Sequence, residues 1–413
     1  MMTMESKTAM DLIQLEDKYG AHNYHPLPVV LSRGEGVHVW DVDGKKYFDF
    51  LSAYSAVNQG HCHPRIIGAM IEQAKTLTLT SRAFYNDTLG EYEKYVTSYF
   101  GFDKVLPMNT GAEAVETAIK LCRKWAYEKR GISENQAKIV VCENNFHGRT
   151  TTIVSFSNDP DAQKNFGPFT PGFIRIPYND ANALEEVMKQ GDVVGFLVEP
   201  IQGEAGVFVP DAGYLSACKA ICEKYNALFI ADEVQTGIAR TGQLLAVNHE
   251  NVQPDILILG KALSGGVYPV SAVLANDDIM LVIKPGQHGS TFGGNPIAAK
   301  VAIAALEVVK DEELAKNAQE LGELFRSEMN RIIENTDLVL KVRGKGLLNA
   351  IIVNDTEDSL TAWNLCVALK DNGLLAKPTH GNIIRFAPPL VMTKEELLEC
   401  VAIIEKTITE FKK

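Results

Sequence analysis

The sequence predicts an α/β protein with one large, mostly parallel sheet, a short N-terminal segment before it and a smaller α+β domain after it. Two observations support this prediction. Five short apolar runs alternate with helical stretches through the middle of the 413-residue chain, and the rhythm changes near residue 310. A continuous apolar run of this kind is typical of a strand buried on both faces. The runs lie at 104–108, 138–142, 194–198, 227–231 and 256–259.

The elements before the large sheet begin with a predicted helix, followed by a hairpin. Asp43-Gly44 separates two β-rich runs at 37–42 and 45–50, and Asp-Gly between such runs is a strong hairpin signal. Pro64 is then expected to open a helix, since its missing N–H costs little in the first turn.

The C-terminal part predicts a separate α+β domain. A long helix is expected from 312 to about 334, and a last helix starts at Thr393, with Glu396 three residues later as a capping box. The strands of this domain are expected at 338–343 and 347–353, with short ones near 374 and 383. The predicted division is an N-terminal segment at 1–64, a large cofactor-binding α/β domain at 65–309 and a small α+β domain at 310–413.

Composition and charge exclude several classes of protein. Hydrophobic residues make up 46% and charged residues 22% of the chain, which is an ordinary globular mixture and excludes disorder over most of it. The net charge is 40 − 52 = −12, which argues against a general nucleic-acid binder. No apolar run approaches the roughly 20 residues that a membrane span needs.

The N-terminus and the cysteines lead us to expect a cytoplasmic protein. The first 20 residues lack the basic start and apolar stretch of a signal peptide, and they lack the Arg-rich, acid-poor character of a transit peptide. The seven cysteines are odd in number and scattered, so a disulfide framework is not expected and a reducing compartment fits.

Polar residues follow four of the predicted strands. Thr110-Gly111 follows the first run and opens a helix, Glu199 follows the third, Asp232 the fourth and Lys261 the fifth. Each has a plain structural interpretation: a helix cap and turn, half of an ion pair, or a solvated lysine. The carboxyl ends of strands in an open α/β sheet meet in one crevice, so four such ends together favour a binding site.

Other motifs do not account for these residues. Gly260-Lys261 is not a nucleotide phosphate loop, because that motif needs a glycine where Asp255 stands and a Ser or Thr where Ala262 stands. His61-Cys62-His63 lacks a fourth ligand at any usual zinc spacing. The Gly-rich stretch at 289–294 could be only a turn, although Ser290 and Thr291 make an anion contact plausible.

The set of strand ends suits pyridoxal phosphate. A helix N-terminus binds phosphate through free N–H groups and the helix dipole. A buried lysine can bond to an aldehyde. A buried aspartate can keep a pyridine nitrogen protonated, and an aromatic such as Phe146 can cover a ring face. A lysine and an aspartate are the usual protein partners of this cofactor.

Longer segments then resemble a known family, the class III, fold type I aminotransferases, and within it the ornithine aminotransferases. The signature is Ala-Asp-Glu-Val-Gln-Thr-Gly at 231–237, Asp255, and Gly-Lys-Ala-Leu-Ser-Gly-Gly at 260–266. The likeness covers nearly all of the chain. Further segments that carry it lie at 20–26, 54–61, 199–206, 288–296, 343–348, 377–380 and 385–389.

The resemblance implies a fold type I architecture, pyridoxal phosphate and a homodimer with shared active sites. Lys261 would hold the cofactor covalently and carry the proton, Asp232 would pair with the ring nitrogen, and Gln235 would bond the phenolic oxygen. Phe146 would stack on the ring. The implied phosphate contacts are Thr110, Gly111, Ala112, Ser290 and Thr291, the last reaching the neighbouring subunit.

The resemblance also implies how substrates bind. Tyr24 and Arg149 would hold the α-carboxylate of ornithine, and Tyr54 would line the pocket that turns the δ-amine toward the cofactor. Arg385 would bind a carboxylate of 2-oxoglutarate, with Glu204 pairing to it when ornithine is bound. Glu199 is expected among the substrate-binding residues as well.

One position departs from part of the family. Vertebrate members carry Trp where this chain has His147. A packing or rim role is expected for His147, and a catalytic role stays open.

The resemblance therefore implies transfer of the δ-amino group of L-ornithine to 2-oxoglutarate, giving glutamate 5-semialdehyde and glutamate. The rival donors within the family are acetylornithine and 4-aminobutyrate. An aminomutase on the same fold would need no second substrate. A non-catalytic binding protein would have no use for the Lys261 and Asp232 pair.

Overall fold

The computed structural model describes residues 8–412, which form three sheets with helices packed around them. No helix within these residues is long and apolar enough to cross a membrane. The domain boundaries at 64/65 and 309/310 remain a prediction.

The first sheet starts with the predicted hairpin, which is confirmed. Asp41 accepts hydrogen bonds at Oδ1 from the amides of Asp43 (3.0 Å) and Lys45 (2.8 Å), and this fastens the turn. Gly44 has a φ of +84°, a conformation that glycine adopts without strain. The elements are α1 (Ala9–Tyr19), β1 (Leu31–Glu35), β2 (His38–Asp41), β3 (Lys46–Asp49) and the single turn α2 (Ser52–Ser55).

The middle of the chain forms the large sheet. Its helices are α3 (Pro64–Ala74), α4 (Leu89–Phe100), α5 (Gly111–Trp125), α6 (Thr151–Val154), α7 (Pro160–Gln163), α8 (Ala181–Met188), α9 (Tyr214–Lys224), α10 (Asp277–Met280) and α11 (Pro296–Asp311). Its strands are β4 (Lys104–Met108), β5 (Lys138–Cys142), β6 (Phe173–Ile176), β7 (Val193–Val198), β8 (Leu228–Asp232), β9 (Ile256–Leu259) and β10 (Ser271–Ala275).

The order of this seven-stranded sheet is β4-β10-β9-β8-β7-β5-β6, and the prediction of a mostly parallel sheet is confirmed. The strands β9, β8, β7, β5 and β6 run parallel, and β10 is antiparallel to both its neighbours. All five predicted strands are present. Two strands were not predicted: β6 is an edge strand that needs no continuous apolar run, and β10 contains Ser271 and two alanines, which are weak strand signals.

The C-terminal part contains a four-stranded antiparallel sheet in the order β11-β12-β15-β14. The predicted capping box is confirmed, because Thr393 and Glu396 bond to each other's backbone amides. The elements are α12 (Leu314–Ile333), β11 (Val339–Lys345), β12 (Leu348–Val353), α13 (Thr361–Asp371), β13 (Leu374–Leu375), β14 (Lys377–Pro378), β15 (Ile383–Phe386) and α14 (Lys394–Glu410). The short strand β13 pairs with β3, so it extends the first sheet.

A fully buried arginine ties the three parts together. Arg240 donates to the side chain of Asn58 and to the carbonyl oxygens of Leu347 (2.9 Å) and Pro388 (2.7 Å). These partners lie in the N-terminal segment and in the C-terminal part. Charge-assisted bonds of this kind are stronger than neutral ones, so Arg240 fixes the C-terminal sheet over the crevice of the large sheet.

Candidate active site

The predicted strand ends do meet at one edge of the large sheet. Asp232 is the last residue of β8, Glu199 directly follows β7, Lys261 is the second residue after β9, and Thr110 caps α5 after β4. Glu199, Asp232, Lys261 and the first turn of α5 after Thr110 border a cavity of about 210 Å³. Its lining is Gly111, Ala112, Phe146, His147, Gly148, Glu199, Ile201, Asp232, Val234, Gln235, Thr236 and Lys261.

The lysine is placed for nucleophilic chemistry. Burial lowers the pKa of Lys261 to about 8, and the charge of Arg385 acts in the same direction, while Glu204 opposes it. A neutral amine is the nucleophilic form, and this shift raises its population near neutral pH. Lys261 also has a φ of +44°, and strain of this kind persists where the surrounding structure fixes a functional group.

The aspartate is held by a histidine. His147 Nδ1 lies 2.7 Å from Asp232 Oδ2, and Asp232 Oδ1 accepts from the amide of Val234 at 3.1 Å. The His147 side chain is 0% exposed, and its Nε2 has no hydrogen-bond partner among residues 8–412. Burial lowers the pKa of His147, but the hydrogen bond and charge of Asp232 outweigh it, and the net pKa is raised.

Of the packing or rim role expected for His147, the rim alternative is therefore wrong, since the side chain is buried beside Asp232. The loop after β5 passes over the end of β7 to reach β8, so residues far apart in sequence become hydrogen-bonded neighbours. The signal that could have revealed this contact is the position of the histidine directly after Phe146, the residue expected to cover the ring.

The second acid at this edge contacts the loop that carries Phe146. Glu199 Oε2 accepts from the Phe146 amide at 2.9 Å. Burial raises the pKa of Glu199 to about 7, with His147 lowering it and Asp232 raising it further. In this position Glu199 fixes the backbone of Phe146, while its expected contact with substrate stays a prediction.

The helix that begins at Gly111 presents its first turn to the cavity. Thr110 and Glu113 form a capping box, in which the side chain of each residue accepts a hydrogen bond from the amide of the other. Amides of a first turn have no acceptor within their helix, so those of Gly111 and Ala112 suit an anion. Ser290 Oγ accepts from Asn109 at 2.9 Å, which places Ser290 beside this turn.

Thr291 lies apart from the cavity of Lys261. It is exposed, and it lines a separate small cavity with Arg82, Asn86 and neighbouring residues. Within one chain, therefore, Thr291 does not line the cavity that Lys261 and the first turn of α5 border.

The arginine predicted to bind a carboxylate is buried and multiply bonded. Arg385 is 2% exposed, and its Nη1 donates to Gly203 O (3.0 Å), Glu204 Oε2 (3.1 Å) and Gln235 Oε1 (3.1 Å). Burial raises the pKa of Glu204, but the charge and hydrogen bond of Arg385 outweigh it, and the net pKa is lowered. Glu204 is therefore an anion paired with Arg385.

Tyr54 lies on the other side of this ion pair. Its ring centroid is 5.0 Å from the Arg385 guanidinium carbon, within the range of a cation–π contact. Tyr54 belongs to α2, which winds left-handed because all four residues have a positive φ, from +46° to +72°. Each such residue costs about 1–2 kcal/mol, so the surrounding structure must over-determine this turn.

The remaining residues predicted to bind substrate are less enclosed. Arg149 and Glu204 line a second cavity of about 340 Å³, which shares Phe146, His147 and Gly148 with the first one. The shared lining makes the two cavities neighbours. Tyr24 is 73% exposed and lines neither cavity.

The residues present fit pyridoxal phosphate. A lysine with a lowered pKa, an aspartate fixed on two sides and a helix N-terminus surround one space. Glycines allow the walls of this cavity to lie close together. A Cβ atom added at Gly111 would lie 3.0 Å from Val234 Cγ1. A Cβ added at Gly148 would lie 2.9 Å from Ala112 Cβ, so side chains larger than hydrogen would intrude on the cradle.

Comparisons with known proteins agree with this geometry. The model of the family "Aminotransferase class-III" matches residues 19–408. Ornithine aminotransferases named as mitochondrial are 66% identical in Drosophila ananassae, over 95% of this chain and 90% of that protein, and 61% identical in Rattus norvegicus, over 97% and 90%. The ornithine aminotransferase of Plasmodium falciparum is 55% identical, over 98% of each chain.

Solved structures are similar over almost the whole chain. The ornithine aminotransferase of Toxoplasma gondii has a TM-score of 0.96 at 50% identity, covering 98% of this chain and 95% of that one. The acetylornithine aminotransferase of Elizabethkingia anophelis has a TM-score of 0.91 at 68% identity, covering 98% and 100%.

The names of the relatives overturn one expectation. A cytoplasmic location was expected, but the Drosophila, rat and Caenorhabditis elegans relatives are named as mitochondrial, so that expectation is wrong. The physical reason is that free cysteines indicate only a reducing compartment, and the cytosol is not the only such compartment.

Proposed function

The chain belongs to the class-III aminotransferases, and on this premise we propose that it is an ornithine δ-aminotransferase that uses pyridoxal phosphate. In the first half-reaction the δ-amino group of L-ornithine passes to the enzyme and glutamate 5-semialdehyde leaves. In the second, 2-oxoglutarate takes up the amino group and leaves as glutamate. The support is the full-length similarity to ornithine aminotransferases together with the residues gathered around Lys261.

The chain's own residues would hold and tune the cofactor. When bound, pyridoxal phosphate supplies an aldehyde for amino groups and a ring that accepts electrons. Asp232, fixed by His147 and by the Val234 amide, would keep the ring nitrogen protonated. Phe146 would cover one ring face. The first turn of α5, with Thr110, Gly111, Ala112 and Ser290, would bind the phosphate, and Gln235 would bond the phenolic oxygen.

Lys261 would both hold the cofactor covalently and move the proton. A pKa of about 8 leaves an appreciable neutral fraction at pH 7–8, so Nζ can accept a proton from the substrate carbon and return it to another atom. Such a shuttle works best when its pKa lies near the working pH, and that is the effect of burial at this position.

The observation that carries the choice of ornithine is the Arg385–Glu204 pair beside Tyr54. Ornithine brings no second carboxylate, whereas 2-oxoglutarate does. A free arginine would attract acids in both half-reactions. Glu204 neutralises Arg385 while ornithine is bound, and its release exposes a guanidinium that can grip a carboxylate in the second half-reaction.

The ornithine α-carboxylate is assigned in this proposal to Tyr24 and Arg149, with Tyr54 beside the α-amino group. Arg149 supports the assignment because it lines the cavity next to Glu204. Tyr24 is exposed in one chain and would need the loop at 20–26 to close over the substrate or to be covered by a second subunit.

A homodimer with shared sites is part of the proposal. Thr291 lies outside the cavity of its own chain, and near it Phe292 is 52% exposed. Phe84 and Tyr85 are large exposed aromatics as well. Exposed aromatic side chains are typical of an interface between copies. Sedimentation of the holoenzyme gives the assembly, and Thr291→Val should weaken cofactor retention only if Thr291 reaches a phosphate.

The second candidate is acetylornithine as the donor, favoured by the 68% identical protein of Elizabethkingia anophelis. Acetylation removes the positive charge from the α-amino group, so the two donors place different demands on Tyr54 and its surroundings. Steady-state kcat/KM of the holoenzyme with ornithine, N-acetylornithine and 4-aminobutyrate tests the proposal. Semialdehyde formed from ornithine in preference to the others supports it, and a preference for N-acetylornithine refutes it. A strict requirement for 2-oxoglutarate excludes an aminomutase.

A further inference from the structure

The carboxylate that covers Arg385 belongs to a small closed loop after β7. Gln202 and Phe208 pair through both backbone amides, with N···O distances of 3.1 Å and 3.0 Å, and residues 203–207 form the tip between them. We call residues 203–208 the Glu204 loop. It belongs to the large sheet by sequence, whereas Arg385 belongs to β15 of the C-terminal sheet.

Three residues of the C-terminal part hold this loop by its backbone. Thr379 Oγ1 donates to Glu204 O at 2.6 Å, and Arg385 Nη1 donates to Gly203 O at 3.0 Å. Arg343, on β11, donates from Nε to Gly206 O at 2.8 Å. The position of the Glu204 carboxylate is therefore set from the C-terminal part as well as from β7.

Arg343 makes a second contact with the loop, through the ring of Phe208. Its guanidinium carbon lies 3.7 Å from the centroid of the Phe208 ring, which is close for a cation–π contact. The close approach of the Arg343 side chain to the loop requires a glycine at position 206. Gly206 has a φ of +117°, and a Cβ atom there would lie 3.0 Å from Arg343 Nη2 and 2.6 Å from Ile383 Cδ1. Arg343 therefore contacts the loop at its tip, through Gly206, and at the pair that closes it, through Phe208.

We propose that Arg343 and Phe208 form a clamp that positions Glu204 against Arg385, which makes Arg343 a specificity-determining positioning residue. This inference rests on the proposed function, in which Glu204 covers Arg385 during the ornithine half-reaction. The guanidinium of Arg385 keeps its bond to Gln235, outside the loop, when the Glu204 carboxylate moves away, so the loop is the part that must be held in register.

Charge alone does not explain this role. A positive charge at position 343 would act on Glu204 and Arg385 in opposite directions, whereas a planar group stacked on Phe208 fixes a position. A lysine keeps the charge but offers neither the flat face nor the Nε–H fork. Arg343→Lys therefore separates geometry from electrostatics.

The test compares holoenzymes of Arg343→Lys, Arg326→Lys, Glu204→Ala, Phe208→Tyr and the double variant that combines Glu204→Ala with Arg343→Lys. Arg326 is the matched control, since it is a half-buried arginine that donates to Gly346 O and Asn349 Oδ1 (both 2.9 Å), away from the loop. The two half-reactions are followed by cofactor absorbance, with glutamate or ornithine as the only amino donor. Hydrogen exchange of the peptide covering 203–208 is measured with and without cofactor.

In Arg343→Lys we expect the glutamate-to-ornithine ratio of rate constants to rise about three- to tenfold, as the loss of one stacked cation contact allows. Hydrogen exchange in the Glu204 loop should become faster both with and without the cofactor. Arg326→Lys should leave both readings as in wild type. In the Glu204→Ala background, Arg343→Lys should add nothing to the ratio, because the group that it positions is gone. Phe208→Tyr, which keeps the ring face, should retain the wild-type ratio.

The possible failures are distinguishable. If Glu204→Ala shifts the ratio and Arg343→Lys leaves it within twofold of wild type, the clamp is refuted and the proposed function stands. A shift of equal size in Arg326→Lys, or an additive shift in the double variant, also refutes the clamp. If Glu204→Ala itself leaves the ratio unchanged, the cover over Arg385 does not exist, and both the clamp and that part of the proposed function fail.

Discussion

Substitution of Glu204 by alanine removes the only carboxylate that the structure pairs with Arg385 among residues 8–412. The arginine itself should stay in place, because Nη1 keeps its bonds to Gly203 O (3.0 Å) and Gln235 Oε1 (3.1 Å). We therefore expect Glu204→Ala to leave a folded holoenzyme with Arg385 permanently open to carboxylates. Glutamate and 2-oxoglutarate should bind more tightly, and glutamate should become a better amino donor.

The size of the effect follows from the ion pair. At 3.1 Å and an effective dielectric constant of about 20, the attraction is about 5 kcal/mol before hydration of the separated charges is counted. Glu204 is one-third exposed, so hydration of the separated charges offsets much of this attraction when the ion pair opens. A hydrogen bond to a charged group contributes about 1.5–3 kcal/mol net. At 1.4 kcal/mol for each factor of ten, the gain for glutamate is about 10- to 100-fold.

The assay is single-turnover absorbance of the bound cofactor with each donor alone. Rate constants over a concentration series separate binding from chemistry. Ornithine carries no second carboxylate and should gain nothing. Glu204→Gln, which keeps the shape and a weaker hydrogen bond, should fall between wild type and Glu204→Ala.

An unchanged glutamate-to-ornithine ratio would refute the reasoning. Glu204 would then be a structural carboxylate near the pocket, and discrimination between the two substrates would have to come from elsewhere. A loss of both half-reactions with a lower thermal midpoint would point instead to a damaged loop, and circular dichroism and cofactor content would reveal it.

Four further outcomes are expected. Lys261→Ala should bind the cofactor without a covalent link, so borohydride followed by mass spectrometry should show no fixed cofactor, and a fixed adduct would refute the assignment. In wild-type apoprotein, capture of pyridoxal phosphate should accelerate as Lys261 loses its proton, rising up to pH about 8 and then levelling off, whereas a rate still rising at pH 10 would indicate an ordinary lysine. Asp232→Asn should slow the chemical step by about 100-fold or more with little change in thermal midpoint, and single-turnover rates within a few-fold of wild type would exclude its role. Tyr54→Ile should lower kcat/KM for ornithine relative to 4-aminobutyrate, since a lost hydrogen bond to a polar substrate group costs about 1–3 kcal/mol, and an unchanged ratio would remove Tyr54 from the pocket.

The sequence alone was sufficient to predict the central strands of the large sheet. Strands buried on both faces must be continuously apolar, so β7, β8 and β9 were visible as runs, and the polar residues that follow them were visible as candidates. The convergence of Asp232 and Lys261 on one edge follows from parallel strand direction alone. The resemblance to a family supplied the roles of these residues, which local patterns do not encode.

Elements with weaker local signals were missed. Strand β10 lies between β4 and β9 and is fully buried, yet its serine and alanines carry little strand propensity. Its antiparallel pairing with both neighbours is a consequence of tertiary packing. The short strand β13 was expected near residue 374, but its pairing with β3 across the chain was not foreseeable from either segment.

What the sequence determined by itself is therefore which polar groups follow the buried strands and the sheet edge on which they lie. What only the tertiary structure decided is which groups touch: His147 on Asp232 across the end of β7, and Arg343 on the loop that carries Glu204. Hydrophobic periodicity and secondary-structure propensity describe a residue only within its own helix or strand. Contacts between residues 85 or 137 positions apart depend on strand order and on how the C-terminal sheet packs over the crevice, which no local pattern contains.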